Sequence, residues 1–495
     1  MTEAPVVIIG AGVGGLSAAI HLAAAGRSVR ILEKNAAAGG KMAEHREDGF
    51  RWDTGPSVIT MRDVLEELFQ ISGRRMEEYF SLRPMDPLTR YFFADGRVLD
   101  VFRDADATAR QLEDLDAREG QAYIRFLAHA ERLFRITGPA FIYGDPPSLP
   151  SLRRFSPIDL LRIDGLRTMD QVNRGRVHTR QLRQVLDRFA TYVGADPYRA
   201  PGTLNVIAHV ELNQGVWYPE GGIYRIAEGL TRLARECGVR IDLERPVRAI
   251  RTQAGRAVGV ETEDGEVIEA AAVLANVDAA LVYGDLLPPV PEVERLAGRL
   301  KRQPRSLSGF VLLLGVEGRT AELVHHNLLF SGDYRSEFRS LSRAGQPSRD
   351  PTLYVSISAR SSPQDAPTGW ENWFVMANVP ATSREWTVPG RAAAYSELVL
   401  DALARRGFDV RPRMSCMRWI TPADIELASG AWRGALYGAS SDGRLAAFRR
   451  AHNRSPVVRR LYLAGGTVHP GGGVPMAMLS GKAAARMLLL DERGS

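Results

Sequence analysis

The sequence predicts an α/β protein: a Rossmann-like domain, a strand-rich second domain and a helical subdomain. Three observations carry this. A strand, glycine turn, helix and second strand fill the first forty of the 495 residues. Residues 300–430 hold several apolar runs of strand length. Near the C-terminus a second glycine-rich loop, residues 465–473, lies between a strand and a small-residue helix.

The first unit opens with Val6-Val7-Ile8-Ile9, a strand, followed by Gly10-Ala11-Gly12-Val13-Gly14-Gly15. Gly10 lets the chain turn sharply. Gly12, without a Cβ, lets the backbone approach a pyrophosphate, and Gly15 lets the helix pack tightly on the strands. The helix N-terminus then points free N–H groups and a positive dipole end at the phosphates. Ala18, Ala19, Leu22 and Ala23 form its apolar face, and Gly26 ends it. The next strand runs to Glu33, eighteen residues after Gly15, close to the spacing at which an acid meets the ribose hydroxyls. A carboxylate there repels a 2′-phosphate, which disfavours NADP and leaves NAD and FAD.

Residues 60–140 show helical spacing at Val64, Leu65, Leu68 and Phe69 and again at Tyr123, Phe126, Leu127 and Leu133. Between these stretches, residues 91–93 and 98–102 flank the Asp95-Gly96 turn and read as a hairpin. Residues 146–166 break the pattern with Pro146, Pro147, Pro150 and Pro157. They mix Arg153, Arg154 and Arg162 with Phe155, Leu160, Leu161, Ile163 and Leu166. Residues 151–190 carry nine Arg and four Asp. This segment fits an interfacial element lying on a membrane, and equally an ordinary helical subdomain with a solvated basic face.

From residue 217 the α/β pattern returns. Pro219-x-Gly221-Gly222 precedes a helix bearing Ile226, Leu230, Leu233 and Ala234. Short strands are expected at 239–243, 246–252, 257–263, 267–270 and 273–276, then at 310–314, 353–357 and 373–377. The last three make a plausible wall for a substrate cavity. A strand at 461–464 leads into the C-terminal glycine loop, with a helix beginning near Ala477.

Composition excludes several classes. Cys237 and Cys416 alone give neither a disulfide framework nor a metal site. No apolar stretch reaches the length of a membrane span, and the N-terminal apolar run, interrupted by glycines and lacking a basic leader, is not a signal peptide. The net charge of +6 comes almost wholly from Arg. With no nucleic-acid module and no basic stripe interleaved with aromatics, nucleic acid is not an expected partner. A basic surface does suit anionic lipid.

After Glu33 come Gly39-Gly40-Lys41 and then Asp53-Thr54-Gly55-Pro56-Ser57. This succession resembles the flavin amine oxidase and carotenoid desaturase superfamily and favours FAD over NAD. With Pro219–Gly222 and the 465–476 block, the chain is similar nearly end to end to the bacterial-type phytoene desaturase family. His469-Pro470-Gly471-x-Gly473-Val474-Pro475-Met476 and the 213–219 run resemble most the branch acting on 1-hydroxycarotenoids, the hydroxyneurosporene and methoxyneurosporene desaturases. Phytoene desaturases proper usually carry Gly where this chain has Met476.

The resemblance implies a flavin amine oxidase-like fold in five stretches: FAD-binding parts at 1–100, 216–300 and 431–495, a helical substrate and membrane-contacting subdomain at 101–215, and a strand-rich substrate domain at 301–430. It implies FAD bound through Gly10, Gly12, Gly15, Glu33, Lys34, Gly40 and Lys41, with Gly55, Pro56 and Ser57 near the flavin ring. The Val247 backbone would meet the adenine, and Gly466, Gly473, Val474, Pro475 and Met476 would lie along the ring and ribityl chain. It implies insertion of a C=C bond into an acyclic carotenoid, at C-3,4 if the hydroxycarotenoid branch holds, by a peripheral enzyme on the cytoplasmic side of a membrane. Oxygen or a quinone would take the electrons.

An apolar tunnel is expected, lined by residues such as Phe141, Tyr143, Trp217, Tyr218 and Phe310. His209, Glu211 and His469 are candidate proton acceptors by type, and Asn213 and Gln214 candidate partners for a hydroxyl end group. The alternatives are a phytoene or neurosporene desaturase, a carotenoid isomerase, an amine oxidase (whose aromatic cage the C-terminal block lacks) and a flavin-free prenyl-lipid escort protein.

Overall fold

The computed structural model describes residues 4–147 and 155–493. Its centre is a five-stranded parallel sheet in the order Leu461–Leu463, Ala272–Ala275, Val6–Ile9, Val29–Leu32, Arg240–Asp242. Both faces are covered, which is why Val6–Ile9 is apolar without alternation. Val6 and Ile8 pack into one core with the helix Val13–Ala24, whereas Val7 and Ile9 pack into a second core with Ile250 and Val260. Those two belong to a three-stranded antiparallel sheet, Val247–Gln253, Arg256–Thr262 and Val267–Glu269.

The ends of the chain meet. The C-terminal helix Val474–Arg493, which starts three residues before the expected Ala477, lies against Val13–Ala24. Ser17 Oγ donates to the Met478 carbonyl at 2.8 Å. A Cβ on Gly481 would stand 2.2 Å from the Gly14 carbonyl oxygen, so glycine sets this helix separation.

The second sheet has seven strands, in the order Met414–Ile420, Ser308–Glu317, Trp370–Val379, Leu353–Ile357, His326–Leu329, Thr89–Phe92, Val98–Val101. The hairpin expected at 91–102 forms here, and Thr89–Phe92 pairs in parallel with His326–Leu329. Sequence placed residues 89–100 with the first dinucleotide segment; their hydrogen bonds go instead to this sheet. One face of the sheet packs on the helix Arg391–Arg405 through Phe310, Leu312, Leu314, Val399 and Leu403. The opposite face carries Val311, Phe374 and Met376 and fronts a cavity.

Helices Arg62–Gln70, Ala105–Glu113 and Glu119–Thr137 account for the helical signal in residues 60–140. In the basic segment, Pro157–Arg162 forms a short helix capped by Ser156. Pro150, Arg153, Arg154 and the Leu160 and Leu161 side chains fall outside the described residues. No described helix is long and apolar enough to cross a membrane.

Candidate active site

A cavity of about 1080 Å³ runs from the glycine turns of the parallel sheet to the face of the seven-stranded sheet and the helical subdomain. That lies just above the roughly 300–1,000 Å³ of a pocket for one drug-sized ligand.

Its dinucleotide end is shaped by close backbone approach. Gly10 has φ +94°, and a Cβ there would meet the Asn276 carbonyl at 3.0 Å. The turn at Gly40 packs on the first turn, a Cβ on Gly40 standing 3.1 Å from Gly12 Cα. Such turns leave the phosphate-facing surface to backbone N–H groups. Glu33, 4% exposed, accepts the N–H of Ala11 on Oε2 at 2.7 Å and that of Asn35 on Oε1 at 2.9 Å. A carboxylate has about four lone-pair sites, so it can still receive two ribose hydroxyls. These features fit an adenine dinucleotide.

Gly10, Gly12, Glu33, Lys34, Gly40, Lys41, Gly55, Pro56, Ser57, Val247, Gly466, Gly473, Val474, Pro475 and Met476 all line this cavity. Gly15 does not. Its Cβ would lie 2.2 Å from the Gly10 carbonyl oxygen, so its role is to seat the helix on the turn. Lys41 donates to the Ala435 and Leu436 carbonyls at 3.2 and 2.7 Å, and burial pushes its pKa down to about 8 against the pull of Asp278. Gly55 is obligatory, because a Cβ would fall 1.8 Å from the Lys41 carbonyl oxygen. Asp53, in the same motif, faces away from the cavity. It accepts Tyr218 Oη at 2.7 Å and the Ile223 N–H at 2.9 Å, pairs with Arg51, and so pins the Pro219–Gly222 turn.

Most of the expected tunnel aromatics are elsewhere. Phe141 lines the cavity. Tyr143 is 44% exposed. Trp217 is covered by the guanidinium groups of Arg62 and Arg103 at 5.0 and 4.9 Å. Tyr218 is held by Asp53, and Phe310 stacks on Trp386 with ring centres 5.1 Å apart. Phe310 faces the far side of its strand because side chains alternate; its neighbours Gly309 and Val311 reach the cavity.

The titratable candidates also separate. His209 is off the cavity, between Asn213 Nδ2 at 2.7 Å and Gln214 Nε2 at 3.4 Å. Asn213 and Gln214 are thereby turned toward that imidazole, not toward a substrate. His469 lines the cavity, but its Nε2 meets the Gly144 carbonyl at 3.1 Å and burial lowers its pKa to about 4. A neutral ring donating there braces the loop. Glu211 lies behind the wall, paired with Arg188 and receiving the Tyr192 hydroxyl.

Residues that sequence did not single out complete the site. Asn276 is wedged among the glycine turns: Cβ atoms on Gly12, Gly14 or Gly465 would all approach it within 2.9 Å. Arg450 lines the cavity beside the C-terminal loop and donates to the Tyr437 and Gly466 carbonyls at 3.2 and 3.0 Å. Burial lowers its pKa to about 10. Only its place after an aromatic, in Phe448-Arg449-Arg450, marks it in the sequence, and that is no signal.

The family described as flavin containing amine oxidoreductase matches residues 13–489. A 4,4′-diapolycopene oxygenase of Methylomonas sp is 35% identical, covering 98% of this chain and 98% of its own length. A 4,4′-diaponeurosporene oxygenase of Staphylococcus haemolyticus is 33% identical over 98% of this chain and 97% of its own. A 1-hydroxycarotenoid 3,4-desaturase of Flavobacterium sp. is 33% identical over 97% and 98%. Among solved structures, putrescine oxidase bound to putrescine aligns with TM-score 0.64 at 15% identity, over 99% of both chains. An oxidoreductase from Methanosarcina mazei aligns with TM-score 0.63 at 16% identity, over 97% of this chain and 100% of its own. These two likenesses show a shared fold.

Proposed function

The chain belongs to the flavin containing amine oxidoreductase family, and from that premise we propose that it inserts a C=C bond into an acyclic carotenoid, at C-3,4 of a 1-hydroxycarotenoid such as hydroxyneurosporene. It is a FAD-dependent oxidoreductase. The flavin, when bound, supplies the two-electron acceptor for a hydride leaving one carbon, while the neighbouring carbon gives up a proton. Supporting the reading is one cavity that joins the dinucleotide turns to a large apolar wall. Full-length relatives named for polyene substrates support the substrate class, and one of them is named a 1-hydroxycarotenoid 3,4-desaturase.

In this reading Gly10, Gly12, Glu33, Lys34, Gly40, Lys41 and Val247 hold the adenylate and pyrophosphate side. Gly55, Pro56, Ser57, Gly466, Gly473, Val474, Pro475 and Met476 hold the ring and ribityl side, with Gly15 acting through the helix seat. Val311, Leu328, Phe374 and Met376 offer the polyene a dry wall, each buried CH₂ contributing about 0.8 kcal/mol. A wall of this kind orients the chain and excludes water. Oxygen or a quinone takes the electrons onward.

A substrate this apolar resides in a bilayer, so the enzyme works as a peripheral protein on the cytoplasmic face. Phe141, Ile142, Ile163 and Gly165 line the cavity, and nearby in the chain Ile158 and Leu166 are 58% and 70% exposed. That combination suits an entrance placed against lipid.

A second reading, oxygenation at a terminal carbon, is favoured by the names of the relatives at 35% and 33% identity. Incubation with neurosporene and its 1-hydroxy derivative separates the two. Desaturation removes two hydrogens and lengthens the chromophore. Oxygenation adds oxygen to the product mass. Oxygenated products alone would overturn the first reading.

A further inference from the structure

Two polar side chains on the cavity wall lie outside the flavin cradle. Arg188 and Tyr192 both face the cavity, among Val193, Ile207 and Val210. Arg188 is 6% exposed; it pairs with Glu211, itself 1% exposed, and its Nε donates to Tyr91 Oη at 2.8 Å. Its guanidinium also lies over the rings of Phe189 and Tyr192 at 4.5 and 5.2 Å. A buried ion pair of this kind adds little stability over well-packed apolar side chains. Placed on the wall of an apolar cavity, it presents polar atoms to an occupant.

Hydrogen-bonding capacity selects that occupant. Glu211 neutralises Arg188, so the spot carries no net charge and offers nothing special to a carboxylate. The Tyr192 hydroxyl gives its hydrogen to Glu211 and its oxygen accepts from Arg188, which leaves one lone pair, a single acceptor position, for the cavity. Arg188 has five N–H donors, more than Tyr91, Glu211 and Tyr192 consume. One group that both donates and accepts satisfies the two residues together: an alcohol. Building on the carotenoid reading above, we infer that Arg188 and Tyr192 form a subsite for a hydroxyl group on the end of the polyene.

The subsite lies close to the ring-side residues. Tyr91 stands opposite Leu328, which stands opposite Tyr354 across adjacent strands. The Tyr354 hydroxyl meets His326 Nδ1 at 2.8 Å and lies within reach of Ser57. The hydroxylated end therefore binds toward the Asp53–Ser57 turn, and the reacting carbons belong to that end of the chain.

The test uses FAD-loaded, chemically reduced enzyme, which binds without turnover, and measures Kd for 1-hydroxyneurosporene and neurosporene in the same detergent micelles. Wild type should prefer the alcohol. Tyr192→Phe should weaken alcohol binding about five- to tenfold, the loss of one neutral hydrogen bond, and leave neurosporene within about twofold. Arg188→Lys, which keeps the charge opposite Glu211 but loses the planar fork, should show the same selectivity. Flavin content and Tm confirm that each variant is folded. Equal loss for both polyenes, or no loss for either, overturns the subsite while the carotenoid reading stands. If wild type binds neither polyene, that reading falls and the subsite with it.

Discussion

The backbone N–H of Ala11 donates to Glu33 Oε2 at 2.7 Å, tying the first glycine turn to the tip of the next strand. The carboxylate is thus fixed before a dinucleotide arrives, and in the proposed binding mode the turn assigned to the pyrophosphate shares a hydrogen bond with the group assigned to the ribose. Glu33→Gln keeps the shape and removes the charge. Hydrogen bonds to a charged acceptor contribute about 1.5–3 kcal/mol, so the Kd for FAD should rise by about ten- to a hundredfold. Titration of apoprotein with FAD, followed by fluorescence quenching, reads this directly; an unchanged Kd would contradict the assignment.

Asp53 belongs to a motif expected beside the flavin, yet its carboxylate is buried against Arg51, Tyr218 and the Ile223 N–H. Asp53→Ala leaves Arg51 its Glu44 and Asp365 partners at 2.7 and 3.1 Å but strips the buried Tyr218 hydroxyl and the Ile223 N–H of their acceptor, at about 1–3 kcal/mol for each group left unpaired. Chemical denaturation should show that loss even in the flavin-free protein. A stability effect seen only with FAD bound would place Asp53 at the ligand after all.

Several histidines are buried in their neutral form. Burial lowers the pKa of His21 and of His469 to about 4 and of His325 to about 3, and it lowers His326 well below the ordinary value. As pH falls below about 6.5, the unfolded chain takes up protons that the folded chain refuses, so the folded state loses stability. The loss should accumulate from about pH 6.5 to pH 4 and reach several kcal/mol, since each tenfold fall in a ring's proton affinity on folding corresponds to about 1.4 kcal/mol. Glu337 and Asp196, whose burial raises their pKa to about 7 and about 6, act in the opposite direction across the same range. The histidine contribution is therefore read by difference: the unfolding free energy should fall less as pH drops in His21→Gln than in wild type. An identical pH dependence of the two proteins would show that the His21 ring is protonated in the fold.

If Ile158 and Leu166 rest in lipid, replacing both with Ser should reduce pelleting with vesicles. Each exposed side chain of this size adds roughly 1.5–3 kcal/mol when buried, so the double variant should bind at least about tenfold more weakly. Adding anionic lipid should strengthen wild-type binding, and salt should weaken it. Equal pelleting of the two proteins would remove this surface from the membrane contact.

The N-terminal unit is readable in the sequence because its signals are local: four apolar residues, a glycine turn and an acid within thirty-three positions. The strand Leu353–Ile357 is equally plain. What stays hidden is distant in sequence or depends on which side of an element faces the cavity. Asn276 plugs the glycine turns through a contact spanning 266 positions, its Nδ2 donating to the Gly10 carbonyl at 3.3 Å. Phe310 sits on a correctly read strand but on the wrong face, because a period of two identifies a strand without saying which face is lined. Asn213 and Gln214 are close in sequence to a cavity-lining residue, Val210, yet they satisfy His209. The Arg188–Glu211 pair joins two helical stretches whose charges, in sequence, look like any solvated face.

In the proposed reaction flavin and carotenoid share one cavity. This is tested most directly by mixing the FAD-loaded protein with 1-hydroxyneurosporene in the absence of oxygen and recording flavin and polyene absorption together. The flavin should bleach in step with a red shift of the polyene, one flavin per new double bond. A well-folded protein that neither retains nor takes up FAD, or whose bound flavin stays oxidised with every acyclic carotenoid supplied, would contradict it.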